Sequence, residues 1–349
     1  MNEFKIKDRT IGGAGKTFII AELSANHNHS LDTAKKTIQA AKEAGADAIK
    51  IQTYTADTLT IDCDNKYFRI GGGTLWDGQT LYKLYRQAYT PWEWHEELRD
   101  CALDCGLIFF STPFDFSAVD YLEKLNVPVY KVASFEITDV NLIEYIASKN
   151  KPVIISTGIA TLSEIEDAVK ACKKAGNDKI ALLKCTSAYP ALPEDANLAS
   201  IQTLTEVFGT VAGLSDHTMG SAVAVAAVAL GAKIIEKHLI LGRNLGGPDS
   251  QFSMEPHEFS AMARDIRIAE KAVGTKSLGR DKKETKGRQF ARSLFAVEDI
   301  KAGEEFTSTN VRSIRPGCGL APKYLNDIIG KRAKRDIERG TPLSFDLLM

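Results

Sequence analysis

Short runs of β-branched and aromatic residues alternate with longer stretches whose apolar positions recur at helical spacing, between residues 18 and 274. Eight runs read as strands: FIIAEL (18–23), AIKIQTY (48–54), IFFSTP (108–113), VYKVAS (129–134), PVIISTG (152–158), KIALLKCTS (179–187), TVAGLSDHT (210–218) and IIEKHLI (234–240). Amphipathic segments follow them. SLDTAKKTIQAAKEAGA offers Ser30 or Asp32 as a cap, and TLSEIEDAVKACKKAGN stops at Gly176. Eight βα units predict a (β/α)8 TIM barrel over 1–274, not an open doubly wound sheet, and no GxGxxG follows the first strand. A long aromatic insertion, DNKYFRIGGGTLWDGQTLYKLYRQAYTPWEWHEEL, separates the second strand from its helix, and barrel geometry predicts that it covers the C-terminal mouth. Past residue 274 the pattern breaks: 275–290 is polar and predicts a linker, and 291–349 has the short strands and turn signals of a small second domain. A unit of roughly 60 residues buries little on its own and is expected to dock on something.

Composition narrows the function classes. With 44% apolar residues in 349 the chain can bury a large core, which excludes disorder. Its 45 acidic and 44 basic residues nearly cancel, so no overall field attracts nucleic acid or an anionic membrane. The N-terminus lacks a secretory h-region, no run approaches the length of a membrane span, and the six cysteines form no CxxC pair. A soluble cytoplasmic protein with reduced thiols is expected.

Strand alternation puts Ser215 and His217 on one side of the seventh strand, and Glu236 and His238 on one side of the eighth. Two inward histidines at neighbouring strand ends can bind one divalent ion and leave positions open for water and substrate. Lys50, Lys131 and Lys184 interrupt otherwise apolar strands, where an unpaired ammonium is costly. Their partners are Glu22, Glu136 or Glu236, or an anionic ligand. Hydroxyls gather at strand ends, namely Thr53, Ser111, Thr112, Ser134, Ser156, Thr157, Thr186, Ser187 and Ser215, where they can bond phosphate oxygens. His27 and His29 are weaker candidates for the metal, since loop histidines are usually solvated, and His95 and His257 receive no role.

The stretches AELSANH, DAIKIQTY, FFSTPFD, YKVASFE, PVIISTG, LKCTSAYP, GLSDHT, EKH and GPDS, followed by RSLFA, KAGE and RPG, resemble the sialic acid synthase family. The resemblance runs through nearly the whole chain. It implies an enzyme that condenses phosphoenolpyruvate with an amino-sugar, and a C-terminal domain similar to type III antifreeze proteins (a SAF domain). AELSANH, the stretch GGTLWDGQTLYKLYRQAYTPWEWH, STGIAT and PDSQFSM are most similar to members that use 2,4-diacetamido-2,4,6-trideoxy-L-altrose.

By this resemblance His217 and His238 hold manganese or magnesium. Lys50, Thr112, Lys131, Ser134, Ser156, Ser187 and Ser215 hold phosphoenolpyruvate. Glu22 positions the sugar or serves acid/base chemistry, and Glu136, Tyr189 and Asp249 line the site. Arg315 reaches the sugar from the C-terminal domain of a second subunit, so a domain-swapped homodimer is implied. Ser187 departs from the family's asparagine. Alternatives are a sibling synthase making N-acetylneuraminate or legionaminate, a non-catalytic sugar-binding protein, and an unrelated metal-dependent aldolase acting on pyruvate.

Overall fold

The computed structural model describes residues 3–73, 75–189, 191–274 and 286–349, and the chain divides into two units, Met1–Gly274 and Thr275–Met349. The first begins with an antiparallel hairpin, β1 (Glu3–Ile6) and β2 (Arg9–Gly12). Its strands are four residues long, too short for periodicity to betray, yet Phe4, Ile6 and Ile11 join the main core.

Eight parallel strands then close on themselves: β3 (Phe18–Glu22), β4 (Ala48–Thr53), β5 (Ile108–Pro113), β6 (Tyr130–Val132), β7 (Val153–Ser156), β8 (Ile180–Cys185), β9 (Val211–Asp216) and β10 (Ile234–His238). All eight fall inside the runs named from the sequence, and the barrel is the expected one. Closure comes from β10 pairing β3, with His238 beside Glu22, and β9 pairing β10, with Ser215 beside Glu236.

Local chemistry starts the helices. Ser30, not Asp32, caps α1 (Leu31–Glu43) by accepting from Thr33 N, while Asp32 sits in the first turn. The insertion after β4 carries two short helices, α2 (Ala56–Leu59) and α3 (Leu81–Ala88), each opened by a threonine cap, Thr55 and Thr80. Further along, Thr161 and Glu164 form a reciprocal capping box on the helix Leu162–Lys174.

The second unit pairs β11 (Ser293–Ala296) with β12 (Val311–Ile314) antiparallel, and Leu294, Ile300, Phe306, Ile328 and Leu343 form its own core. The expected linker lies mostly outside the described residues; Arg288–Phe290 within it form a 3-10 turn. Among the described residues no helix is long and apolar enough to cross a membrane.

Lumen packing is tight at Gly213 in β9. A Cβ there would lie 2.5 Å from Ile234 O and 2.7 Å from Leu183 Cδ2. Overpacking of this kind costs about 1–3 kcal/mol, so Gly213→Ala is expected to lower the unfolding midpoint by several degrees in a calorimetric scan. An unchanged midpoint would show that the strand can move aside.

Candidate active site

Glu22, Lys50, Lys131 and Glu236 come from four different strands and meet inside the lumen, each almost wholly buried. The Lys50 ammonium forms an ion pair with Glu22, lies 3.8 Å from Glu236 and donates to Thr112 Oγ1 at 3.1 Å. Lys131 Nζ donates to Ser156 Oγ at 2.7 Å and to Val132 O at 2.9 Å, and lies 3.9 Å from Glu236. Ser215 donates to Glu236 Oε1 at 3.3 Å. Ser187 donates to Ser134 Oγ at 2.8 Å, which accepts in turn from Ile159 N. Gly158 makes this hydroxyl pair possible, since a Cβ there would come within 2.3 Å of Ser187 Oγ and 2.7 Å of Ser134 Oγ. Cys185 completes the floor, with Sγ 3.8 Å from Ser187 Oγ and 4.0 Å from His217 Nδ1.

His217 and His238 converge above this cup with ring centroids 5.3 Å apart. His217 Nδ1 contacts Thr186 O at 3.0 Å. His238 Nδ1 is buried without a hydrogen-bond partner and lies 3.7 Å from Asp249 Oδ2. Burial, with the charges of neighbouring groups, holds His238 well below the usual histidine range, so the ring is neutral and has a lone pair to offer. A neutral buried imidazole with an idle nitrogen, facing a second imidazole, fits a divalent cation. Among the described residues no group of three or more His, Cys, Asp or Glu is arranged to hold a metal ion, so the fit rests on these two rings.

Above the imidazoles the surface becomes apolar. Tyr189 packs on His217 at 4.7 Å and on Phe252 at 5.0 Å, while Trp76 packs on Tyr189 at 5.6 Å and donates from Nε1 to Pro248 O. A cavity of about 430 Å³ opens there, with Ile70, Trp76, Leu81, Leu84 and Tyr85 of the insertion on one side, and Phe114 and Phe135 among its other walls. His238, Asp249, Ser134 and Glu136 reach it from the lumen side.

The carboxyl groups divide electrostatically. Burial pushes Glu22 up to about 7, the Lys50 ammonium pulls it down, and the Glu236 carboxylate pushes it up again. Glu236 is also buried, but the ammonium groups of Lys131 and Lys50 outweigh that and hold it below the ordinary range. Burial lifts Glu136 to about 7 against the opposing charge of Lys131. One carboxylate is thus held charged and two stand near neutrality, a division suited to acid/base work.

Several expectations need correction. Lys184 does not join Lys50 and Lys131: it stands one residue out of step with Cys185, half-buried, and donates to Cys185 O at 3.1 Å. Thr53 and Ser111 bond each other at 2.6 Å, and Thr53 meets His95 Nε2 at 2.8 Å, all behind the sheet. Thr157 and Thr186 donate to Leu183 O and Asp195 O. His27 is fully buried, with Nδ1 accepting from His29 N and Nε2 against Thr90 Oγ1, so both nitrogens are engaged away from the imidazole pair. Of the insertion's aromatics Trp76 and Tyr85 line the cavity, whereas Tyr67 is 76% exposed. Sequence reasoning missed Cys185, Phe252 and Tyr54, which also lines the cavity, and treated Glu236 only as a lysine's partner; the alternation that marked His238 also marked Glu236. Arg315 lies on the C-terminal unit, just past β12 and exposed.

Comparison with known proteins is decisive for kinship. Residues 37–278 match the family model described as NeuB family, and residues 291–349 match the SAF domain. The chain belongs to the NeuB family. Within that family it is similar to a protein named pseudaminic acid synthase from Campylobacter jejuni, 49% identical over 94% of this chain and 95% of that one. It is also similar to one of the same name from Helicobacter pylori, 48% identical over 94% and 96%. Among solved structures it superposes on the N-acetylneuraminic acid (sialic acid) synthetase of Leptospira borgpetersenii in complex with citrate. That match has a TM-score of 0.74 and 34% identity, over 82% of this chain and 95% of that one. The sialic acid synthase resemblance read from the motifs agrees with this membership.

Glu136 gives this NeuB family site a measurable signature. Its folded pKa of about 7 exceeds the ordinary 4.5, so its contribution to stability is full below 4.5 and is lost as pH rises through 7. Glu136→Gln is neutral at every pH and is expected to raise stability at pH 8 by up to about 3 kcal/mol, with no gain at pH 4, in paired urea titrations. An equal effect at both pH values would place the charge in water.

Proposed function

We propose that this chain condenses phosphoenolpyruvate with 2,4-diacetamido-2,4,6-trideoxy-L-altrose, the pseudaminic acid synthase reaction, releasing phosphate by C–O cleavage. The observation that carries the reading is one barrel mouth holding two buried ammonium groups, a ring of hydroxyls and two facing imidazoles beneath a largely apolar cavity. A pure binding protein has no need to bury carboxyl groups raised toward neutrality.

The residues divide the work. Lys50 and Lys131 offset the charges of phosphoenolpyruvate, and Thr112, Ser134, Ser156 and Ser215 donate hydrogen bonds to its oxygens. Ser187, in place of the family's asparagine, reaches the ligand through the hydroxyl pair it forms with Ser134. His217 and His238 hold a divalent ion, manganese or magnesium, which when bound supplies Lewis-acid polarisation of the sugar aldehyde. Glu22, poised near neutrality, takes or gives a proton at its carboxylate as the carbon–carbon bond forms and water adds to C2 of phosphoenolpyruvate. Glu136 and Asp249 accept from the sugar, and Tyr189 packs beside it. The apolar cavity favours a sugar with a methyl at C6, because a hydroxyl there would lose its water without gaining a partner. The cytoplasm, where phosphoenolpyruvate is made, is the site of action.

The C-terminal unit serves a second copy in a domain-swapped homodimer, Arg315 of one copy meeting the sugar in the barrel of the other. Support comes from the loops after four successive strands, which carry exposed Phe135, Ile159, Leu192 and Met219, an apolar arc suited to being covered.

The test is phosphate release from phosphoenolpyruvate and Mn2+ with the altrose derivative, with N-acetylmannosamine, or with the legionaminate precursor. The altrose derivative is expected to be turned over fastest and His217→Ala to abolish turnover; fastest release with another sugar would reassign the substrate. Arg315→Ala is expected to raise the sugar KM at least about tenfold, in line with loss of a charged hydrogen bond, and to leave the phosphoenolpyruvate KM unchanged. Unchanged sugar kinetics would remove Arg315 from the site.

A further inference from the structure

Behind the two imidazoles, on the opposite face of the same strands, lies a second buried ion pair. Asp216 and Lys237 are register partners across β9 and β10, each one residue from a histidine. Their side chains are 1% and 0% exposed, with Lys237 Nζ 2.6 Å from Asp216 Oδ2. Lys237 also donates to Thr218 O at 2.5 Å and Gly220 O at 3.1 Å. Asp216 Oδ1 accepts from Thr218 N at 2.9 Å and from Thr218 Oγ1 at 2.7 Å. His217 is therefore bracketed by two residues tied to Lys237, and its own carbonyl accepts from Ala191 N at 3.2 Å.

A buried ion pair is a poor device for stability alone, since well-packed apolar side chains of similar volume serve as well or better. Along β3 the same outward parity is filled by Ile19 and Ala21, and along β4 by Ile49 and Ile51. The charged pair occurs where two strands must present imidazoles at a fixed separation. Its hydrogen bonds reach the main chain on the far side of His217, and Lys237 is covalently next to His238. Displacement of the backbone at either histidine therefore strains the pair.

Resting on the reading that His217 and His238 share a divalent cation, we propose that Asp216 and Lys237 are positioning residues. From behind the sheet they set the separation of the two imidazoles and so the affinity for that cation. The test uses the full chain and Mn2+ alone, titrated calorimetrically, with His217→Ala as control. The double variant Asp216→Asn, Lys237→Met removes both charges and leaves neither orphaned. It is expected to weaken Mn2+ binding by about 10- to 100-fold, the usual effect of losing a ligand's supporting shell. Its phosphoenolpyruvate KM stays put, and its turnover recovers as Mn2+ is raised. A folded double variant that binds Mn2+ within twofold of the parent overturns the proposal, because a purely structural pair would lower the unfolding midpoint and leave this affinity alone. Should the double variant not fold, Thr218→Val, which deletes only the hydroxyl bond to Asp216, carries the test: a threefold or greater weakening supports the proposal and an unchanged affinity overturns it. If the parent binds no Mn2+, or His217→Ala binds it equally well, the cation reading falls and takes this proposal with it, a result distinct from parent and double variant binding alike.

Discussion

Charge in a closed lumen is the constraint on which this site depends. Closing eight parallel strands sends every second side chain inward, away from water, where an unmatched charge is costly. This chain nevertheless places Lys50, Lys131, Glu22 and Glu236 there, and they persist because each ammonium lies within 4 Å of a carboxylate. The balance is incomplete in a useful sense. With Glu22 lifted to about 7, the ammonium groups are not fully offset near neutral pH, a condition suited to an anionic ligand.

The surroundings grade from charged to apolar along the barrel axis. Serine and threonine hydroxyls lie beside the ammonium groups, imidazoles and Asp249 above them, and then Tyr189, Phe252 and Trp76. Such an order suits a polyanion at its deep end and a larger, less polar group nearer the mouth, with the imidazole pair between them. Dry walls strengthen each of these interactions relative to water. They also make misplacement expensive, which is why the rings need support from behind the sheet.

The barrel was legible because its signal is repeated: eight apolar runs, each followed by a helical stretch, leave little choice of topology. The histidine pair and two of the three lysines were legible for a related reason, since period two assigns faces before any fold is known. Lys184 was grouped with them because it too interrupts an apolar strand, although the same period sets it on the other face from Cys185 and Ser187. Lys184 precedes Cys185 by one residue, and that single step takes it out of the cup. The N-terminal hairpin was invisible because four-residue strands carry no period. His27 was misjudged because a loop residue is buried here by contacts distant in sequence, with Thr90 and Trp94. Long-range packing of that kind has no local signature.

Discrimination among similar ligands sets the last physical demand. An apolar wall discriminates weakly against an added hydroxyl, by about a hundredfold at best, whereas a fixed polar group facing a substrate hydroxyl rejects a missing or inverted one far more strongly. A wall such as that of Ile70, Leu81 and Leu84 therefore discriminates by polarity and size without reading stereochemistry. Only polar groups whose positions are held can do that, and the same cavity has a few. Asp249 is held by Ala25 N at 3.4 Å, and Glu136 keeps one carboxylate oxygen buried and idle. An idle buried oxygen is a standing cost to the free protein that a correctly placed donor removes and a misplaced one does not. Unsatisfied burial of this kind is thus a physical basis for telling one configuration from another.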